Sequence, residues 1–273
     1  MSRDEMSIAV DWAAVEGWNP GVHDADSFYA ADPEGFLIGE LNQKPIATLS
    51  AVAYGNTFGF LGFYIVHPAY RGQGYGLQIW NAGLKRLAGR NIGLDGVLAQ
   101  QTNYRKSGFK LAYRNIRYEG IRDGSTASNP DIVPLSQFPF AVVEEYDRPF
   151  FPDTRSRFLH AWLKQPESVA LGIAQDRKLS GYGVVRTCRT GYKIGPLFAD
   201  SSEAAEALFI ALKDIVPPGK SFFLDVPETN HEAITLTKRH NMKRVFETAR
   251  MYTGRFPVLP GERLFGVTTF ELG

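Results

Sequence analysis

The chain has 273 residues, 44% of them hydrophobic and 22% charged, with a formal net charge of +1. It has no long apolar run and no basic run, so a soluble globular protein is expected, with neither membrane nor nucleic acid as partner. Its length suits one large domain or two of ordinary size. The one cysteine, Cys188, excludes an intrachain disulfide, and with no signal-peptide pattern over residues 1–10 a cytoplasmic location is the default expectation. His23, His67, His160, His231 and His240 show no metal-ligand spacing with cysteine or with each other, so no metal is expected.

In chain order, residues 11–31 read as two short helices broken at Gly17-Trp18-Asn19-Pro20-Gly21, with Asp24 or Asp26 placed to cap the second. Strands follow at 35–41 and 45–53, joined by the turn-rich Asn42-Gln43-Lys44-Pro45. After a second turn at Tyr54-Gly55-Asn56-Thr57, residues 58–66 (FGFLGFYIV) form an uncharged run suited to a strand buried on both faces. Pro68 ends that strand, since proline has no N–H for a ladder. Glycines at Gly72, Gly74 and Gly76 then lead into a helix over about 75–88. Free backbone N–H groups at such a helix start point at an anion, and glycines permit positive φ and close approach. Arg71 adds a permanent cation, so a phosphate or pyrophosphate is the expected ligand. The Walker A pattern is absent. A dinucleotide fingerprint fails because Leu77 stands where the last glycine is needed, so Asp95, at a ribose-binding distance, is set aside. A strand at 92–99, the segment Asn103-Tyr104-Arg105-Lys106-Ser107-Gly108-Phe109 and a last strand at 110–118 complete this half.

The spacing R-x-x-G-x-G in Arg71-Gly72-Gln73-Gly74-Tyr75-Gly76 resembles the acetyl-coenzyme A loop of the GCN5-related N-acetyltransferases (GNAT). Alone it also fits a turn that merely links strand and helix. The Y-x-x-x-G-F spacing of Tyr104, Gly108 and Phe109 is similar to that family's late helix and following strand. The resemblance implies that 71–76 hold the coenzyme A (CoA) pyrophosphate, that backbone groups of Tyr64, Ile65 and Val66 pair with the pantetheine arm, and that Tyr104 protonates the departing thiolate. A phenol protonated at neutral pH suits that task; the plainer role is a ring packed in the core. The resemblance also puts Glu16, Trp18, His23 and Asp24 beside the acceptor site, although capping and packing equally account for them. Two departures stand out. The late helix is cut to about a turn, so that Asn103 alone inherits the family's cofactor-touching asparagine. The run 58–66 holds no carboxylate or histidine, which leaves the general base to a water chain, to Glu16 or Asp24, or to the second half.

Residues 120–130 (GIRDGSTASNP) read as a linker, and beyond them the element order repeats at an offset near 134 residues, Gly35 against Val169. A strand at 131–135, helices at 140–146 and 154–163, a hairpin over Asp176-Arg177-Lys178, and strands and helices through 252 follow. The expected fold is α/β (α+β): two tandem GNAT-like domains, each with a mixed, mostly antiparallel central sheet flanked by helices. Residues 1–120 are the catalytic domain, 121–130 the linker and 131–273 a degenerate copy, similar to the family's tandem subgroup. In the second copy Asp200 and Ser201 replace the glycines and are expected to fill the anion position, while Thr237 stands where the tyrosine belongs. The resulting expectation is an N-acetyltransferase moving an acetyl group from acetyl-CoA, or another acyl group from its CoA ester, to a small-molecule or peptide amine. The alternative is a CoA-binding sensor without turnover. Monomer and homodimer are both compatible with the sequence.

Overall fold

The computed structural model describes residues 1–124, 129–175 and 178–273. The first half runs α1 (Met6–Val15), α2 (Asp24–Ala31), β1 (Phe36–Leu41), β2 (Lys44–Tyr54), β3 (Phe58–Val66), α3 (Tyr75–Arg86), β4 (Asn91–Val97), α4 (Gln101–Lys106) and β5 (Lys110–Ile121). The second runs β6 (Ile132–Pro134), α5 (Phe140–Asp147), α6 (Ser156–Trp162), β7 (Ser168–Gln175), β8 (Lys178–Thr187), β9 (Tyr192–Ala199), α7 (Ser202–Ile215), β10 (Ser221–Pro227), α8 (His231–Arg239), β11 (Lys243–Tyr252) and β12 (Leu264–Gly266). The first helix begins at Met6, ahead of the expected start, and the β1–β2 turn tightens to Asn42 and Gln43, both at positive φ (51° and 62°). Neither Asp24 nor Asp26 caps α2, whose cap position is His23 with no side-chain bond. The linker expected at 121–130 and the hairpin turn expected at 176–178 fall partly outside the described residues.

Repetition in the sequence becomes repetition in space. The run β1–β2–β3–β4 pairs antiparallel except for the parallel step β3–β4, and β7–β8–β9–β10 repeats it with the parallel step β9–β10. The two halves nevertheless do not build separate sheets split at the linker. The strand order is β1-β2-β3-β4-β11-β5-β10-β9-β8-β7-β6, with β12 on β9. The last long strand of each half therefore lies in the sheet of the other: β11 pairs with β4, β5 pairs with β10, and β5 and β11 pair with each other. Neither strand alternates cleanly between apolar and charged residues, so its sequence does not single out one sheet over the other.

Buried side chains lock this exchange. One aromatic cluster spans both halves: Phe28 of α2 packs on Phe63 of β3 and Trp162 of α6 with ring centroids 5.6 and 6.1 Å apart. Such pairs add about 0.5–1.5 kcal/mol each beyond area burial. Bidentate ion pairs also cross between halves. Arg117 of β5 meets Asp225 of β10 at 2.7 and 2.8 Å, Arg250 of β11 meets Asp95 of β4 at 2.9 and 2.6 Å, and Arg186 of β8 meets Asp24 of α2 at 2.8 and 3.3 Å. Each pair is buried, so removing one partner strands a charge at about 3–5 kcal/mol.

Candidate active site

β3 and β4 pair only from Phe58↔Asn91 to Leu61↔Leu94 and then diverge. A bulge causes the divergence: the β2–β3 register shifts between Thr48 and Ser50, and Phe63 adopts φ 46°. Beyond Leu61 the edge of β3 facing β4 is unpaired with that strand, and a cleft of about 430 Å³ opens there. Tyr64, Ile65 and Val66 line it, and the Val66 carbonyl accepts from Arg71 Nε at 2.8 Å.

The glycine loop closes one end. Gly72 and Gly74 have φ of 76° and 85° with open space around a notional Cβ, so backbone conformation is what requires glycine there. Gly74 occupies the cap position of α3 without a side chain, so the first N–H groups of the helix have no capping side chain. Gly76 is needed for space, since a Cβ would stand 2.7 Å from the Tyr64 hydroxyl. Arg71, Gly72, Gly74 and Gly76 line the cleft. Gln73 and Tyr75 do not. The Gln73 amide holds the loop from outside by donating to the Ala69 carbonyl at 3.1 Å, and Tyr75 packs edge-on against Tyr70. Donors at a helix start beside a guanidinium fit a pyrophosphate.

Aromatic rings form the next stretch of wall. Tyr64, Trp80 and Tyr104 follow one another with centroids 5.1 and 5.4 Å apart, and all three line the cleft. Tyr104 sits on the six-residue α4, and its ring occupies the space over Gly96 of β4, where a Cβ would come within 2.3 Å. Burial, and secondarily Tyr64, pushes the Tyr104 hydroxyl above the usual phenol range, so it stays protonated at neutral pH. Asn103 faces away, donating to Gln100 Oε1 at 2.7 Å, and does not line the cleft.

The acceptor candidates divide. Glu16 and Trp18, in the α1–α2 connection, line the cleft, and Glu16 is ion-paired with Arg71. His23 and Asp24 lie elsewhere. Asp24 is fully buried, bound by Arg186 and by the Gly21 N–H at 2.7 Å, and His23 faces Glu167 at 3.7 Å. The sequence proximity that suggested them is spent on tying α2 to the second half.

Other lining residues were not assigned to the site from the sequence, among them Asp95, which was set aside with the dinucleotide reading, and Phe246, Thr248, Phe270 and Glu271. Four of them belong to the second half, delivered by β11 and by the segment after β12. Arg117 braces this wall, donating to the Trp18 carbonyl at 2.7 Å and lying 4.8 Å from the Phe270 ring centroid. No local motif marks the four second-half positions; β11 and the segment after β12 bring them to the cleft. Among the described residues, no group of three or more His, Cys, Asp or Glu side chains is set to hold a metal.

In the second half the equivalent gap is filled. β9 and β10 pair from Tyr192↔Phe222 to Ile194↔Leu224 and also diverge, but β12 fills the gap, pairing Leu264↔Phe198 and Gly266↔Leu197. The Val267 N–H donates to the Asp225 carbonyl of β10 at 2.9 Å. Asn230 pins this insert, its amide donating to the carbonyls of Gly261 and Leu264 at 3.0 Å while its oxygen caps α8. At the counterpart of the glycine loop Ser201 caps α7, accepting from the Ala204 N–H at 3.2 Å. Asp200 does not cap; it accepts from the Tyr146 hydroxyl and from Arg263.

Comparison with known proteins agrees with this geometry. A model of the acetyltransferase (GNAT) family matches residues 5–109, and one of an acetyltransferase (GNAT) domain matches residues 143–266. A holothin acyltransferase from Pseudoalteromonas sp. (strain SANK 73390) is 29% identical over 272 residues, covering 100% of this chain and 92% of that protein. A crystal structure of a candidate acetyltransferase from Pyrococcus horikoshii superposes with a TM-score of 0.84 at 24% identity, covering 100% of this chain and 94% of the other. A tandem GNAT protein from the clavulanic acid biosynthesis pathway superposes at 0.63 with 13% identity, over 94% and 98% of the two chains. The last two likenesses speak for the fold. With one GNAT match in each half, on a fold whose first half keeps an open cleft, the chain belongs to the GNAT family of N-acetyltransferases as a tandem member.

Proposed function

We propose that the chain transfers the acetyl group of acetyl-CoA to a primary amine by direct attack, with Tyr104 as general acid. The observation that carries this reading is one cleft with three features: free amides at one end, an unpaired strand edge along its side and a buried tyrosine in its wall. The α3 amides and Arg71 would hold the pyrophosphate, and the edge of β3 would pair with pantetheine as an added strand does. Backbone N–H groups at the bulge would polarise the thioester carbonyl. As the C–N bond forms and the C–S bond breaks, Tyr104 hands its proton to sulfur and regains one from the former ammonium nitrogen.

The acceptor in this reading is a compact amine. Trp18, Phe63, Phe246 and Phe270 offer an apolar wall, and the full-length relative is named for acylating holothin. Thiol release from acetyl-CoA, measured for wild type and Tyr104→Phe across an amine panel, tests the proposal. A loss of about 10²–10⁴-fold in kcat with CoA affinity retained is expected. Equal rates would remove Tyr104 from the mechanism, and a wild type inert with every amine would favour binding without turnover.

A further inference from the structure

Three carboxylates line the cleft: Glu16, Asp95 and Glu271. Two are committed. Glu16 is paired with Arg71, and Asp95 accepts from Arg250 and, at 2.9 Å, from the Asn115 amide. Glu271 differs. It is 3% exposed, and neither carboxylate oxygen has a hydrogen-bond partner among the described residues. Leaving a buried carboxylate's acceptors unfilled is costly, so such a group calls for an explanation in function.

Its position supplies one. The segment that follows β12 leaves the closed second-half gap and crosses to the first half, where Thr269 Oγ1 accepts from the Glu271 N–H at 2.9 Å. The Glu271 carbonyl rests on Gly62, where a Cβ would stand 2.0 Å from that oxygen. Gly62 is the first residue of β3 past its last pairing with β4, so Glu271 is fixed where the cleft opens, beside the bulge. The charged groups around it come from several elements: Arg117 of β5, Lys193 of β9 and Arg186 of β8 lie within its field, as does Cys188 within theirs. The arginines are held by Asp225 of β10 and Asp24 of α2, and the Lys193 ammonium donates to the Asn19 carbonyl at 2.8 Å. None of these cations is hydrogen-bonded to Glu271.

We propose that the Glu271 carboxylate, contributed by the second half, takes the proton from the acceptor's ammonium group. The inference rests on the acetyl-transfer reading above and assigns the base that reading lacks. An alkylammonium has no lone pair with which to attack. Transfer of one N–H proton to Glu271, directly or through one water, frees the pair. The nitrogen then bonds to the carbonyl carbon, the second N–H proton replaces the one Tyr104 gives to sulfur, and Glu271 releases its proton to solvent. The products are amide, thiol and one proton, which balances the reaction.

The test measures thiol release by wild type, Glu271→Gln and Glu271→Asp with simple alkylamines, which are protonated at neutral pH, and with arylamines, which are not. CoA affinity is measured by calorimetry on the same samples. Glu271→Gln should lower kcat with alkylamines by about 10²–10⁴-fold while sparing arylamines, with CoA binding unchanged. Glu271→Asp keeps the charge but withdraws the carboxylate by one methylene, and should still lose about a hundredfold with alkylamines. If Glu271 only balances neighbouring charge, the Asp variant matches wild type and the Gln variant shows no dependence on amine basicity; either result overturns the assignment. Should the Gln variant fail to fold, the Asp variant decides alone. A wild type inert with every amine overturns the acetyl-transfer reading itself, a different outcome from an active wild type matched by its variants.

Discussion

The two halves share one architecture and differ in what fills the gap between their diverging parallel strands. In the first half the gap after Leu61 and Leu94 is empty, and the helix that follows starts at a glycine. In the second the gap after Ile194 and Leu224 holds β12, and the helix starts at Ser201, whose hydroxyl satisfies an amide that an anion would otherwise take. Under the proposed reading, the second copy supplies from its own chain the strand pairing and the cap that a ligand would bring to the first half's cleft. The second half also completes the first: β11 closes the first half's sheet, and the segment beyond β12 carries Phe270 and Glu271 to its cleft.

Cutting at the linker breaks the comparison most severely. Both neighbours of β5 lie in the second half, and β4 loses β11 as well. Residues 1–123 alone are expected to show no cooperative thermal melt and no CoA binding; a sharp transition with retained binding would mean the first half can close its sheet unaided. Next comes the cross-half ion pair. Asp225→Asn strands Arg117, and chemical denaturation should register a loss of about 3–5 kcal/mol. Burial raises the Asp225 carboxyl pKa, but Arg117's charge and hydrogen bonds outweigh it and leave the group below its ordinary range. That contribution is therefore present above the unfolded carboxylate pKa and is lost as pH falls through the lower folded value. In stability curves measured at descending pH, wild type should lose this increment in acid and approach the Asn variant.

Two cap positions sharpen the contrast on a smaller scale. Gly74→Ala forces a side chain to φ 85° at about 1–2 kcal/mol, and should weaken CoA binding about tenfold by disturbing the anion nest. Ser201→Ala removes the α7 cap at about 1 kcal/mol of stability and should leave CoA affinity unchanged in calorimetry. A reversed pattern would move the anion site to the second half.

Much of this was legible in the sequence because it is written locally. β3 and the start of α3 fall at the expected residues, since Pro68 and the glycine loop set them by backbone sterics. Tyr104 was found through its spacing to Gly108 and Phe109. The strand exchange was not legible: β5 and β11 lack a clean period-2 pattern, and a strand's sequence does not say whose edge it pairs with. β12 spans three residues, too short for a periodic signal, so the stopper was sought in Asp200 and Ser201; Ser201 caps α7, while Asp200 instead binds Tyr146 and Arg263. Glu271 sits in the mixed stretch Val267-Thr268-Thr269-Phe270-Glu271-Leu272, where nothing but the folded chain distinguishes it from a surface carboxylate. Asp24 misled for the opposite reason, as a polar residue near the acceptor region in sequence whose partner, Arg186, lies 162 positions away.

Backbone amide hydrogen exchange with and without CoA tests most directly whether one cleft is live and the other closed. The account predicts new protection over residues 62–66 and 72–77, with none over 197–205. Protection appearing at 197–205, or no change at 72–77 under saturating CoA, would contradict it.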